Sequence, residues 1–489
     1  MFYIGIDLGT SAVKLLLMQE DGTVERIVSK EYPLSFPHPG WSEQNPSDWW
    51  TQSVAGLKEL TKGIDKSQIG GISFGGQMHG LVILDEQDEV IRPAILWNDG
   101  RTMEETDYLN TVIGKETLSA YTGNIAFAGF TAPKILWVYN KEPENFARIR
   151  KIMLPKDYLA YKLTGVASCD YSDASGMLLL DVKNKCWSKE MMDICHVKEE
   201  WLPGLYESFE QTGTLLPEVA EELGFPTTCI VAAGAGDNAA AAVGTGAVGA
   251  GKCNLSLGTS GTMFITNDVF GVDEFNALHS FAHADGKFHL MGCMLSAASC
   301  NKWWMEDILN TKDFAKEQEG LVLGDNHVYF LPYLMGERSP HNDPLARGTF
   351  IGMRLDTTRT NMLQAVFEGV AYGLRDSLEV ARDLGVAPAR TTICGGGAKS
   401  PLWRSIVANV MNMEVDTVEV EEGPAYGGAI LAAVANGAFS SVEEAVAQIV
   451  RKKDTTSPDP ELVAKYEAGY QKFKQIYPAL KGVYQNLAE

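Results

Sequence analysis

Short apolar stretches punctuated by glycine open the chain. Residues 2–7 read as a strand, the chain turns at Gly9, and residues 11–18 read as a second strand. Asp21-Gly22 is a hairpin signal and residues 23–32 follow as a third strand, so the opening is an antiparallel meander. Pro33, Pro37, Pro39 and Gly40 break regularity. Asn45-Pro46-Ser47 then offers a cap and a first-turn proline for a helix predicted to run to about Lys62. Residues 69–74 form a short apolar strand ending in Gly75-Gly76, and strands alternate with helices from there, which is the α/β class.

The pattern repeats itself once. Leu8-Gly9-Thr10-Ser11 recurs half a chain later as Leu257-Gly258-Thr259-Ser260. Each copy follows a strand-like stretch and leads into another apolar one, residues 12–18 in the first case and 262–265 in the second. The same motif in the same strand–turn–strand setting predicts two similarly built domains. Between them lie a buried strand over 229–234, an interruption at Gly236-Asp237-Asn238 and a helical run over 239–243. The expected division is therefore residues 1–245 and 246–489.

Composition narrows the class. At 489 residues, 45% hydrophobic and 21% charged, the chain exceeds what one core usually serves. Its net charge of −22 is the wrong sign for a phosphate-neutralising nucleic-acid surface, so no nucleic-acid partner is expected. The start has no signal-peptide form, and the apolar stretches are too short or too interrupted to span a membrane. Eight cysteines are scattered without a CxxC pair, which fits reduced thiols better than a zinc or redox motif. A cytoplasmic enzyme acting on small molecules is the expectation.

Candidate chemistry sits in the glycine-rich places. Two matched hairpins with hydroxyl side chains can aim backbone N–H groups at one polyphosphate from both sides. Asp7 precedes the first turn, where a carboxylate either caps the turn or holds a cation such as Mg2+ beside phosphate. Lys14 neutralises phosphate or faces solvent. Asp237 reads equally as a helix cap or as the carboxylate that accepts a hydroxyl proton. Gly395-Gly396-Gly397 admits a flat group such as adenine or ribose, or is a flexible loop, and residues 424–429 ahead of a helix are expected to close that pocket. Gln77, Met78 and His79 end a strand in a loop, and Trp97-Asn98-Asp99-Gly100-Arg101 adds a second polar cluster with an aromatic; both mix the residue types of a sugar site. Residues 244–249 match GxGxxG and residues 246–252 match GxxxxGK, but neither stands between a strand and a helix, so both are set aside.

The ordered series of Asp7-x-Gly9-Thr10, a second Gly-Thr-Ser turn, Gly236-Asp237-Asn238 and Gly395-Gly396-Gly397 resembles the FGGY carbohydrate kinases. Residues 129–137 (GFTAPKILW), 348–352 and Phe367-Glu368-Gly369 extend the likeness over nearly the whole chain. The resemblance implies two actin-like (ribonuclease H-like) ATPase domains with a cleft between them. It implies ATP and Mg2+, a sugar acceptor, and a homodimer as a common family state. By resemblance Asp237 is the catalytic base and Asp7 serves metal and phosphate. Thr10, Ser11 and Lys14 would lie along the phosphates and Gly258, Thr259 and Ser260 would meet them from the other lobe. Gly396, Gly397 and Asn409 would approach the adenosine. Gln77, Met78, His79, Trp97, Asp237 and Asn238 would surround the sugar, in the style of members that phosphorylate D-xylulose. Sibling substrates (ribulose, gluconate, glycerol) and a non-catalytic sensor are the alternatives.

Overall fold

A computed structural model describes residues 1–487. Its first sheet is built on the opening meander: Phe2–Leu8, Ala12–Gln19 and Val24–Glu31 pair antiparallel in sequence order. On the other side of Phe2–Leu8 lies the parallel strand Ile69–Gly76, then Ile230–Ala232 and the antiparallel edge Gln211–Thr214. The second sheet repeats that plan strand for strand. Cys253–Leu257 and Gly261–Asn267 form the central hairpin and Phe288–Met294 extends it. Arg390–Cys394 and Glu414–Val418 lie parallel on the far side, edged by antiparallel Lys452–Thr456. One extra strand, His279–Ala282, borders Phe288–Met294. The recurring Leu-Gly-Thr-Ser motif therefore marks equivalent turns of two equivalent sheets.

Local sequence explains the elements it was expected to explain. The Asn45 side chain accepts from Ser47 N at 3.2 Å, and the helix Pro46–Leu60 begins with proline in its first turn. Leu15, Leu17, Trp49 and Leu57 are buried together, so this helix covers one face of the first sheet.

The junction differs from expectation. Residues 424–429 are not a loop over a nucleotide pocket. They belong to the helix Gly423–Ala435, which packs on the first sheet and across the helix Asp237–Thr245. The packing is backbone to backbone: a Cβ on Gly5 would stand 1.8 Å from Ala425 O, and one on Gly427 would stand 1.9 Å from Ala240 O. The small residues that looked like loop composition are thus a close helix crossing, which only glycine and alanine permit. A segment from late in the chain consequently shares the first sheet's core, with Ala425, Ala429 and Ile430 clustered with Tyr3 and Leu16.

Candidate active site

Three parallel strands of the first sheet end level with one another. Leu8 pairs with Gly76, and Gly76 pairs with Gly236. The residues that follow or flank these ends, Asp7, Gln77, Met78, His79, Asp237 and Asn238, are gathered at the carboxyl edge of the sheet, where open α/β sheets bind ligands.

Asp237 begins the helix Asp237–Thr245. The cap position is Gly236 and no side chain caps the helix end, so the capping role weighed for Asp237 falls away. Its Oδ1 accepts from Asn238 N at 2.6 Å and from Asn238 Nδ2 at 2.9 Å. Burial pushes the Asp237 carboxyl up to about 6, against the opposing pull of the Asn238 backbone N–H. Asp7 is pushed up to about 7, first by burial and then by the Asp237 charge, with Lys14 pulling the other way. Lys14 stands opposite Asp7 in the strand register and pairs with Glu422. Two hard oxygen donors, one of them raised by the charge of the other, stand beside a lysine in a set that fits a divalent cation.

The first turn is braced from behind. Thr10 Oγ1 accepts from Trp97 Nε1 at 2.9 Å and donates to Gln77 Oε1 at 3.3 Å. Gln77 Nε2 donates to Gly9 O and to Gln44 Oε1, both at 3.3 Å. Tyr32 Oη donates to Gly9 O as well. Gln77 is buried and committed to the turn, so the sugar contact expected of it is corrected to a bracing role, and Trp97 is tied to the same turn. The exposed residue beside Thr10 is Ser11.

The second turn is held by the chain that follows Leu295. Gly258 O accepts from Ala298 N at 2.9 Å, and Thr259 O accepts from Ala297 N at 2.9 Å and Ser299 Oγ at 2.8 Å. The Thr259 and Ser260 side chains remain exposed. Gly395, at φ +87°, lies against the Leu257 carbonyl, which ties the glycine run to this turn. A cavity of about 550 Å3 joins Lys14 of the first half to Gly395, Gly396, Lys399 and Glu422 of the second. A second cavity of about 520 Å3 shares Gly396 and Lys399 and adds Gly397, Phe314, Phe367 and Trp403. Asn409 lines neither. It is buried, donates to Ser405 O at 2.8 Å and accepts from Asp459 N at 2.7 Å, so its expected approach to adenosine is corrected to holding the helix Pro460–Phe473 in place.

Met78 and His79 form the other wall. Met78 packs on Gly236, where an added Cβ would stand 2.9 Å from its sulfur. His79 has φ +71°, a conformation that a histidine adopts only when its surroundings impose it. The imposing groups are Thr131 Oγ1 and Lys134 Nζ, which donate to His79 O at 3.1 and 2.9 Å, and Phe130, stacked on the ring at 4.7 Å. His79 Nδ1 lies 2.8 Å from Gly176 O. Burial first, and then the Lys134 charge, hold the imidazole down to about 3 and therefore neutral. A neutral ring donating from Nδ1 to a carbonyl leaves Nε2 as an acceptor for a hydroxyl. The polar cluster after Trp97 turns inward instead: Arg101 lies 3.7 Å over Trp41 and pairs with Asp99 and Glu43, each at 2.7 Å.

Sequence reasoning missed a buried charge cluster behind Asp237. Lys156 Nζ lies 2.6 Å from Asp157 Oδ1, 2.8 Å from Asp170 Oδ1 and 3.6 Å from Asp173 Oδ2, all essentially without solvent exposure. Asp170 Oδ2 accepts from Ser172 Oγ, whose oxygen accepts Gly236 N at 3.1 Å, the residue before Asp237. Lys156 also packs its stem on Gly76, the residue before Gln77. A lysine and three aspartates spread over eighteen positions carry no local signal; only their convergence does.

The comparisons agree with this geometry over the whole chain. The model of the FGGY carbohydrate kinase N-terminal domain matches residues 2–244 and that of the C-terminal domain matches residues 253–436. The chain is 41% identical over 482 residues to a xylulose kinase of Escherichia coli strain K12, covering 98% of this chain and 99% of that one. A crystal structure of a xyloylose kinase from Brucella ovis superposes with a TM-score of 0.94 at 39% identity, covering 99% and 100% of the two chains. A gluconate kinase from Lactobacillus acidophilus superposes equally well, TM-score 0.95 with 99% of each chain covered, at 27% identity. Matched in both halves and along nearly its full length, the chain belongs to the FGGY family of carbohydrate kinases.

Proposed function

We propose that this sugar kinase transfers the γ-phosphoryl group of ATP to D-xylulose, giving D-xylulose 5-phosphate and ADP. The observation that carries the reaction is the Asp237 carboxylate at the sheet edge, near enough to raise Asp7 and next to Gly236, on which Met78 packs. The choice of sugar is supported by the full-length likeness to a xylulose kinase; the equal superposition of a gluconate kinase means that fold alone does not select it. The lobes are taken to divide near residue 245.

In this reading Asp237 orients the terminal hydroxyl of the ketose, and His79 Nε2 and Asn238 position its neighbours. The hydroxyl oxygen forms a bond to the γ-phosphorus, the bond to the β,γ-bridging oxygen breaks, and the hydroxyl proton passes to Asp237. Backbone N–H groups of the Gly9–Ser11 and Gly258–Ser260 turns, with Lys14, bind the phosphates from both sides. Gly396 and Gly397 leave room for the adenosine against Phe367 and Trp403. Asp7 is the residue that would hold Mg2+, which when bound neutralises phosphate charge. Closure of the halves over the sugar excludes water as a competing acceptor.

The first test is ADP formation from ATP and Mg2+ with D-xylulose, D-ribulose, L-ribulose, glycerol, gluconate and no sugar. D-xylulose is expected to give the highest kcat/KM. A different preferred sugar overturns the substrate and keeps the transfer chemistry; no sugar-dependent ADP overturns both.

The pH profile supplies a second. A carboxyl raised on folding is protonated, and useless as a base, below its raised value. The acid limb of kcat/KM is therefore expected at about 6 to 7, where burial places Asp237 and burial with the Asp237 charge places Asp7. A limb in the ordinary carboxylate range of about 4 would show that the two charges do not oppose each other in the free enzyme.

A further inference from the structure

Arg338 stands against the aromatic cluster beside His79 and takes no part in the reaction above. It follows Glu337 in a loop that is firmly pinned. Glu337 Oε1 accepts from Arg338 N at 2.7 Å and from Leu295 N at 3.1 Å, and Ser339 N donates to Cys293 O at 3.0 Å. Glu337 and Asp343 exchange backbone hydrogen bonds at 2.9 and 2.8 Å. The backbone that carries Arg338 is thus rigid while its side chain is only partly buried.

The guanidinium differs from three other sheltered arginines. Arg92, Arg101 and Arg375 each lie against a carboxylate, whereas among the described residues no carboxylate lies within ion-pair distance of Arg338. Instead it lies 5.3 Å over the Phe127 ring. Phe127 touches Phe130 at 5.3 Å, and Phe130 stacks on His79. The Arg338 charge acts on His79, on His279 and on the Cys293 thiol. Cys293 in turn feels the charge of Asp237. Arg338 therefore reaches from the second half of the chain to Phe127, whose neighbour Phe130 stacks on His79.

A guanidinium packed on an aromatic ring, with five N–H donors and no carboxylate at ion-pair distance, keeps donors available for the acceptors of a ligand. The phosphates lie elsewhere, between the two Gly-Thr-Ser turns beside Lys14 and Asp7. The ketose is what occupies the His79 side, and its carbonyl and hydroxyl oxygens are acceptors.

We propose that Arg338 is a sugar-binding residue, donating hydrogen bonds to oxygens of the ketose from the second half of the chain, opposite His79. The inference rests on the reading of this pocket as the sugar site. It makes sugar affinity depend on the two halves coming together, since the first half alone presents only one side of the sugar.

The test is steady-state kinetics of Arg338→Ala and Arg338→Lys. Loss of charge-assisted hydrogen bonds is expected to raise KM for D-xylulose roughly 10- to 100-fold in Arg338→Ala, with KM for ATP within about twofold of wild type. Arg338→Lys should fall between, and added guanidinium chloride at millimolar concentration should lower the sugar KM of Arg338→Ala but not of wild type. An unchanged sugar KM, or equal rises in the KM for sugar and for ATP, overturns the proposal. If wild type prefers another sugar of the panel, the same comparison on that sugar decides the role of Arg338 independently of the identity of the substrate. A melting temperature equal to wild type is expected for both variants, because no protein carboxylate loses its partner.

Discussion

Asp237→Asn is expected to lower kcat by about 10²–10⁴-fold while the dissociation constants for D-xylulose and ATP stay close to those of wild type. The change is isosteric. Asparagine keeps a carbonyl oxygen for the Asn238 N–H and Nδ2 donors that Asp237 Oδ1 now accepts, so the helix start is not disturbed. What is lost is the group proposed to take the proton. Removing the charge also relieves its repulsion of Asp7, whose carboxyl should move down toward its ordinary value. The variant should therefore melt at or above the wild-type temperature at pH 8. Stopped assays of ADP release, calorimetric binding and thermal unfolding on one preparation separate these effects. Turnover close to wild type removes Asp237 as the base.

Lys156→Met carries the largest expected effect on stability. Lys156 is the lone cation among Asp157, Asp170 and Asp173, and all four side chains are buried. Burial raises Asp157 and Asp173 even with the lysine present, and the three aspartates hold the lysine charged. Taking the cation away while leaving its partners is expected to cost about 3–5 kcal/mol. The sign with pH follows. Without Lys156 the aspartates have folded pKa values far above their unfolded ones, so the variant gains stability as pH falls and they protonate. Its deficit in urea unfolding should shrink between pH 8 and pH 5. A deficit independent of pH would mean that lost packing, not buried charge, is responsible. Ser172→Ala is the milder companion: it cuts the hydrogen bond to Gly236 N, should fold, and should lower kcat more than it changes either KM.

The Met78–His79 wall shows a third dependence that spans distant segments. His79 adopts its positive φ because Thr131 and Lys134 hold its carbonyl and Phe130 holds its ring. The stretch Gly129–Lys134 was conspicuous in the sequence as part of the family likeness, but its work is done on a residue fifty positions earlier.

The chain alone determined a good deal. The Leu-Gly-Thr-Ser motif and its recurrence are local patterns of turn residues between apolar runs, and such patterns depend only on neighbours in sequence. They placed both Leu-Gly-Thr-Ser turns, and with the α/β alternation they placed the two-sheet plan, whose six corresponding strands the structure bears out. Asp7 and Asp237 stood out for a similar reason, since a carboxylate at the end of a buried strand is costly and conspicuous. The tertiary structure decided what depends on distance between remote segments. Residues 424–429 have loop composition by any local measure, yet they form a helix crossing, because another backbone approaches Gly427. Gln77 and Asn409 have the donors and acceptors of ligand contacts, but Gly9, Thr10 and Asp459 reach them first. Lys156 and its aspartates are unremarkable until folding removes their water and leaves them to one another, and Arg338 meets Phe127 only when the two halves of the chain come together. Turn and strand preferences are short-range and can be summed along a sequence; hydrogen-bond commitment and buried charge are set by which groups exclude water from each other, and that is known only once the chain has closed.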